Sequence, residues 1–102
     1  MKKVIVIKTN WDSKRKSGGW CATCNGKRVS GNLYSTTSDQ LALTGMIEGV
    51  KEFGDSGDTV RIVTKNTRAQ HAVQRPAASI HCAYGREFRA VCKAAGVHYT
   101  FR

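Results

Sequence analysis

The sequence predicts an α+β or α/β domain: a mixed β-sheet with helices packed on it. Three observations carry this. Residues 4–7 and 59–64 are short runs rich in β-branched side chains, the composition of strands covered by neighbouring layers. Two further strand-like stretches, 20–24 and 27–34, are separated by Asn25-Gly26, a pair that tolerates positive φ and so signals a tight hairpin. Leu43, Met46, Ile47, Val50 and Phe53 recur at helical spacing. A hairpin combined with strand–helix–strand crossovers gives a sheet with both antiparallel and parallel pairs.

The elements follow in order. Residues 4–7 are apolar at every position, which predicts a central strand covered on both faces. Residues 11–18 form a polar, basic loop before the hairpin. Ser35, Thr36, Thr37 and Ser38 then offer side-chain oxygens to cap a helix, which Gly54 ends. A turn over 55–58 leads into a second buried strand, 59–64. Asn66 caps a short helix running to Gln74, and Pro76 stops it. Residues 75–84 read as irregular. Residues 86–95 form a helix with Phe88, Val91, Cys92 and Ala95 on one face and Gly96 as its stop; residues 97–101 make the last strand.

Length and composition bound the function. A chain of 102 residues with 40% apolar content makes one globular domain, 1–102, with one modest core. Its longest apolar run, 4–7, is far too short to span a bilayer or to serve as a signal-peptide core. A cytoplasmic protein with reduced cysteines is therefore expected. The net charge is +10 and unevenly spread. Residues 1–34 carry eight Lys/Arg against Asp12, and residues 61–102 carry eight against Glu87. The middle holds Lys51 against Asp39, Glu48, Glu52, Asp55 and Asp58. Basic surfaces of this kind attract phosphate backbones and release counterions on binding.

The order of elements and several local motifs resemble the ribonuclease H family almost end to end. Lys8-Thr9-Asn10 followed by Gly18-Gly19-Trp20 is similar to the family's first strand and glycine-rich loop. Thr36-Thr37-Ser38-Asp39 with Leu41-Ala42-Leu43 resembles its corner into the first helix. Thr64-Lys65-Asn66 stands where the family's fourth strand ends, and Glu87-Phe88-Arg89 through Val97-His98-Tyr99-Thr100 looks like its late helix and fifth strand. The resemblance implies a five-stranded mixed sheet in the order 3-2-1-4-5, flanked by about three helices, with the family's last helix missing.

The departures carry the functional expectation. Family enzymes hold two magnesium ions about 4 Å apart with several convergent carboxylates. The matching positions here are Asn10, Ala42 and Lys65, and the fourth has no counterpart before Arg102. Asp12 lies near enough to Asn10 that a loop shift can supply one ligand. Glu48 cannot replace Ala42, because six residues along a helix place it about 120° away. An ammonium at the Lys65 position repels the ions. The expectation is a domain without catalytic residues, cofactor or metal; residual metal-dependent ribonuclease activity is the weaker alternative.

Other chemistries have thinner support. Cys21 and Cys24 have the spacing of half a zinc site, but residues three apart in a strand point to opposite faces. Cys82 and Cys92 lack tight spacing, so four small buried thiols are expected. His71, His81 and His98 are scattered, and the adjacent His81 and Cys82 are poorly placed to form a thiolate pair.

Binding remains. By the resemblance, an RNA–DNA hybrid or duplex is gripped through the positions matching Lys14-Arg15-Lys16, Ser38, and Asn66-Thr67-Arg68, with Lys65 standing in as the local positive charge. Trp11, beside the basic loop, either stacks on a base or packs over the sheet edge. Asp39 is read as a charge at a helix N-terminus. The expected function is non-catalytic nucleic-acid binding. A phage-type or mobile-element inhibitor that docks on a host protein is the alternative from another class, because fold does not fix function.

Overall fold

A computed structural model describes residues 1–101. The chain runs β1 (Lys2–Asp12), β2 (Ser17–Cys24), β3 (Lys27–Leu33), α1 (Ser38–Phe53), β4 (Thr59–Val63), α2 (Thr67–Gln74), a 3₁₀ turn at Pro76–Ala78, α3 (Cys82–Ala95) and β5 (His98–Thr100). The five strands form one sheet in the order β3-β2-β1-β4-β5. β1 pairs antiparallel with β2, and β2 with β3. β1 and β4 run parallel, as do β4 and β5. This is the mixed sheet and strand order expected, with three α-helices.

Local chemistry explains most boundaries. Asn25 and Gly26 both take positive φ, 52° and 79°, and close the β2–β3 hairpin. The Thr37 hydroxyl accepts a hydrogen bond from the Gln40 amide and caps α1; the Asn66 side chain accepts one from the Ala69 amide and caps α2. Gly96, at φ 69°, ends α3 in the left-handed conformation.

Three expectations are corrected. The basic loop is shorter than 11–18: Trp11 pairs with Gly18 and Asp12 with Ser17, so only residues 13–16 lie between the strands. A polar ribbon can still pair its backbone, and a Cβ at position 18 would run into the Asn10 carbonyl, so this close approach requires glycine. α3 begins at Cys82, not at residue 86. Gly85 lies inside it, and its missing side chain lets α3 press against the Ala72 carbonyl of α2.

The third correction concerns layers. Ile5, Ile7, Val60 and Ile62 are buried, but Val4 is 44% and Val63 36% exposed. The strands of residues 4–7 and 59–64 are thus covered on one face only. α1 settles on that face where Gly45 approaches Ile7 and Trp20, and Gly49 approaches Ile5 and Ala22. α3 joins the same side through Phe88, whose ring meets Tyr99 edge-on at 5.1 Å; Tyr99 is the register partner of Val60. The apolar residues of both faces looked alike in sequence, yet all three helices fall on one side.

The cysteines divide. Cys24 and Cys92 are buried, whereas Cys21 and Cys82 are half-exposed, and all four are free thiols. Cys21 and Cys24 do face opposite sides of β2: Cys24 shares the buried face with Trp20 and Ala22.

Candidate functional site

A cleft of about 670 Å³ opens where β4 ends beside the middle of β1, at Val6 to Thr9. Past that point β1 continues paired with β2 alone, while β4 passes through α2 and α3 toward β5. Ligands of open sheets tend to gather outside the carboxyl ends of the strands, at such divergences. Val6 and Val63 are paired neighbours on β1 and β4, and two residues further along each strand Lys8 and Lys65 both line the cleft.

β4 gives way to α2 through a tight junction. The Asn66 amide donates to Thr64 Oγ1 (3.1 Å), and Gln70 Nε2 donates to the Thr64 carbonyl (3.2 Å). Thr67 and Arg68, in the first turn of α2, complete this wall. Ser38 and Asp39, in the first turn of α1, form the other. The amino ends of two helices thus border the cleft, and each adds partial positive charge.

Among the described residues Asp39 is the only acid on the lining, and both of its oxygens are engaged. Asn66 Nδ2 donates to Oδ1 at 2.9 Å, and His81 Nε2 lies 3.2 Å from Oδ2. Asp39 and His81 are 9% and 8% exposed. This one carboxylate therefore ties the start of α1 to the caps of α2 and α3, since His81 is the N-cap of α3. The exposed charges left on the lining are Lys8, Lys65 and Arg68. Such a set can hold anionic oxygens by charge-assisted hydrogen bonds. Among the described residues no three His, Cys, Asp or Glu side chains converge as a metal-ligand group.

Of the residues singled out from sequence, Ser38, Lys65, Asn66, Thr67 and Arg68 line this one cleft. Ala42 is fully buried in the core. Asn10 lines a separate hollow of about 320 Å³ with Lys8, Gly19, Cys21 and Asn32, so Lys8 belongs to both. Trp11, Lys14, Arg15 and Lys16 lie outside the cleft. Trp11 is 38% exposed, and its Nε1 donates to the Thr36 carbonyl at 3.1 Å. The Thr36 amide in turn donates to the Lys16 carbonyl (2.8 Å). Asp12 Oδ1 accepts from the Lys14 and Arg15 amides, so the basic loop is a structured turn pinned to the corner before α1.

Lys8 and His81 were missed from the sequence as site residues, and Asp39 was read only as a helix-end charge. A signal existed for Asp39: it falls on the same helical stripe as Leu43, Met46 and Val50, where a carboxylate needs buried partners.

No family model matches the chain, and no curated protein matches it. The sheet order β3-β2-β1-β4-β5 with three α-helices is the topology of the ribonuclease H-like fold.

Proposed function

We propose that this protein binds the phosphate backbone of nucleic acid in the cleft between β1 and β4 without cleaving it. One observation carries the reading: Lys8, Lys65 and Arg68 face a shared space whose single carboxylate is already committed to Asn66 and His81. Phosphates entering the cleft gain cations without having to displace an acid. The amino ends of α1 and α2 favour the same sign of ligand. The basic turn at Lys14-Arg15-Lys16 lies beyond the cleft and supplies a second set of backbone contacts, which position a strand without reading its bases. An RNA–DNA hybrid or a duplex is the substrate class the fold's resemblance favours.

The ammonium groups of Lys8 and Lys65 oppose the gathering of two divalent cations, which need several convergent acids. Incubating the protein with labelled hybrid, duplex RNA and duplex DNA, with and without magnesium or manganese, tests both halves of the reading. Retention with intact strands is expected. Metal-dependent scission, or no retention at low salt, overturns it.

A further inference from the structure

Parallel sheets are as a rule covered on both faces, yet β1, β4 and β5 carry helices on one. On the other, Val6 and Val63 are lateral neighbours and Val4 lies two residues back along β1, a step of about 6.6 Å. Val4 and Val63 are markedly exposed. Cations border this strip on every side. Lys2 and Lys8 stand at its two ends on β1; Arg61 pairs beside Val4; Arg28 is the β3 partner of Thr23, itself the β2 partner of Val6. None of the four makes an ion pair among the described residues. Among the described residues the one acid on this face, Asp12, sits at its far end and accepts from the Lys14 and Arg15 amides.

An apolar strip bordered by ammonium and guanidinium groups is complementary to a partner that is apolar along its middle and acidic along its edges. A phosphodiester strand running on from the cleft over Val4 would desolvate this strip without compensation, and these strands present no Phe, Tyr or Trp there for a base to stack on. A second copy would bring another net charge of +10. We propose that this open face docks an acidic amphipathic helix of a protein partner, laid along β1 and β4 between Lys2 and Lys8. The apolar stripe of a helix repeats about every 5.4 Å, close to the valine step, and flanking carboxylates reach Arg61 and Arg28. This surface meets the cleft at Val6, Lys8 and Val63, whereas Val4, Lys2, Arg61 and Arg28 lie outside the cleft lining, so effects at Val4 and Arg61 tell the two readings apart.

The probe is a synthetic helix of about five turns, with leucines at i, i+3, i+4 and i+7 and glutamates elsewhere. A lysine-flanked twin and a duplex RNA serve as comparisons. Amide NMR should show saturable shifts at Val4 and Arg61, outside the cleft, with the acidic peptide alone. Arg61→Glu should weaken that binding about tenfold or more, and the milder Val63→Thr should also weaken it with the fold intact. The proposal fails if the acidic peptide does not bind saturably or shifts only the helix side. It fails equally if the lysine twin binds as well, if duplex RNA moves the Val4 and Arg61 amides, or if the free protein dimerises through this face.

Discussion

Asp39 Oδ2 and His81 Nε2 meet at 3.2 Å although they are 42 positions apart in the chain. With Asn66 on its other oxygen, the carboxylate fastens three helix starts beside the cleft. Replacing it strands two buried polar groups, which costs about 1–3 kcal/mol. Asp39→Ala should therefore lower the unfolding free energy by that amount, read as a lower urea midpoint with the slope unchanged. Asn66→Ala should cost a comparable amount, because it removes the α2 cap together with one bond to Asp39. An Asp39→Ala protein as stable as the parent would show that the bridge is incidental.

The pair also shows where the sequence stopped being legible. His81, Gly85, Phe88 and Cys92 are all buried and follow helical spacing. Once α3 was started at residue 86, His81 fell outside the helix and lost its place on that stripe. Asp39 lies on the buried stripe of α1, but its partners come from segments far along the chain, and no local pattern specifies them. Caps behaved differently. Thr37, Asn66, Asn25-Gly26 and Gly96 act within a few residues of themselves, and each ended or began an element where the sequence placed it. Lys8 was hidden by register. The motif pointed to Asn10, but the pairing of Val6 with Val63 sets the residues abreast of the β4 end, and register is a long-range property.

At the opposite end of the sheet, Lys3 Nζ bridges Asp55 and Asp58, each at 2.7 Å, and donates to the Phe53 carbonyl at 2.9 Å. The hydrogen bonds that Lys3 donates to Asp55 and then to Asp58 raise its pKa above the ordinary value, and Lys3 holds Asp58 below the ordinary 3.8. A depressed carboxylate contributes stability that is present above its unfolded value and lost as pH falls through its folded one. Acid titration by circular dichroism should therefore show a loss of stability below about pH 4 that Asp58→Asn largely removes. On the alkaline side the Lys3 contribution is complete below its ordinary 10.5 and fades only above it. Identical acid profiles for parent and variant would contradict this.

Phe88 is fully buried and packs against Tyr99, which in turn meets the ring of Phe101 at 5.9 Å. Phe88→Ala leaves a cavity between α3 and the sheet and should cost about 3–5 kcal/mol. In a domain holding about 5–15 kcal/mol in all, the thermal midpoint should fall steeply. A drop of only a degree or two would mean that α3 contributes little to the core.

The thiols should separate by rate. Burial pushes Cys92 up to about 11, and Cys24 is equally inaccessible, whereas Cys21 and Cys82 are partly exposed. The thiolate is the reactive form. Titration with a coloured disulfide reagent at neutral pH should show two fast equivalents, and two more only on unfolding. Four fast equivalents would indicate a looser core than described.

The charge of the cleft is the central claim, and its salt dependence tests it most directly. Affinity for an RNA–DNA hybrid should fall linearly on a log–log plot against salt. In Lys65→Glu it should be weaker, with a slope shallower by about one, and neither protein should cleave the hybrid when magnesium is added. An unchanged slope and affinity in Lys65→Glu, or strand scission by the parent protein with magnesium, would contradict the account.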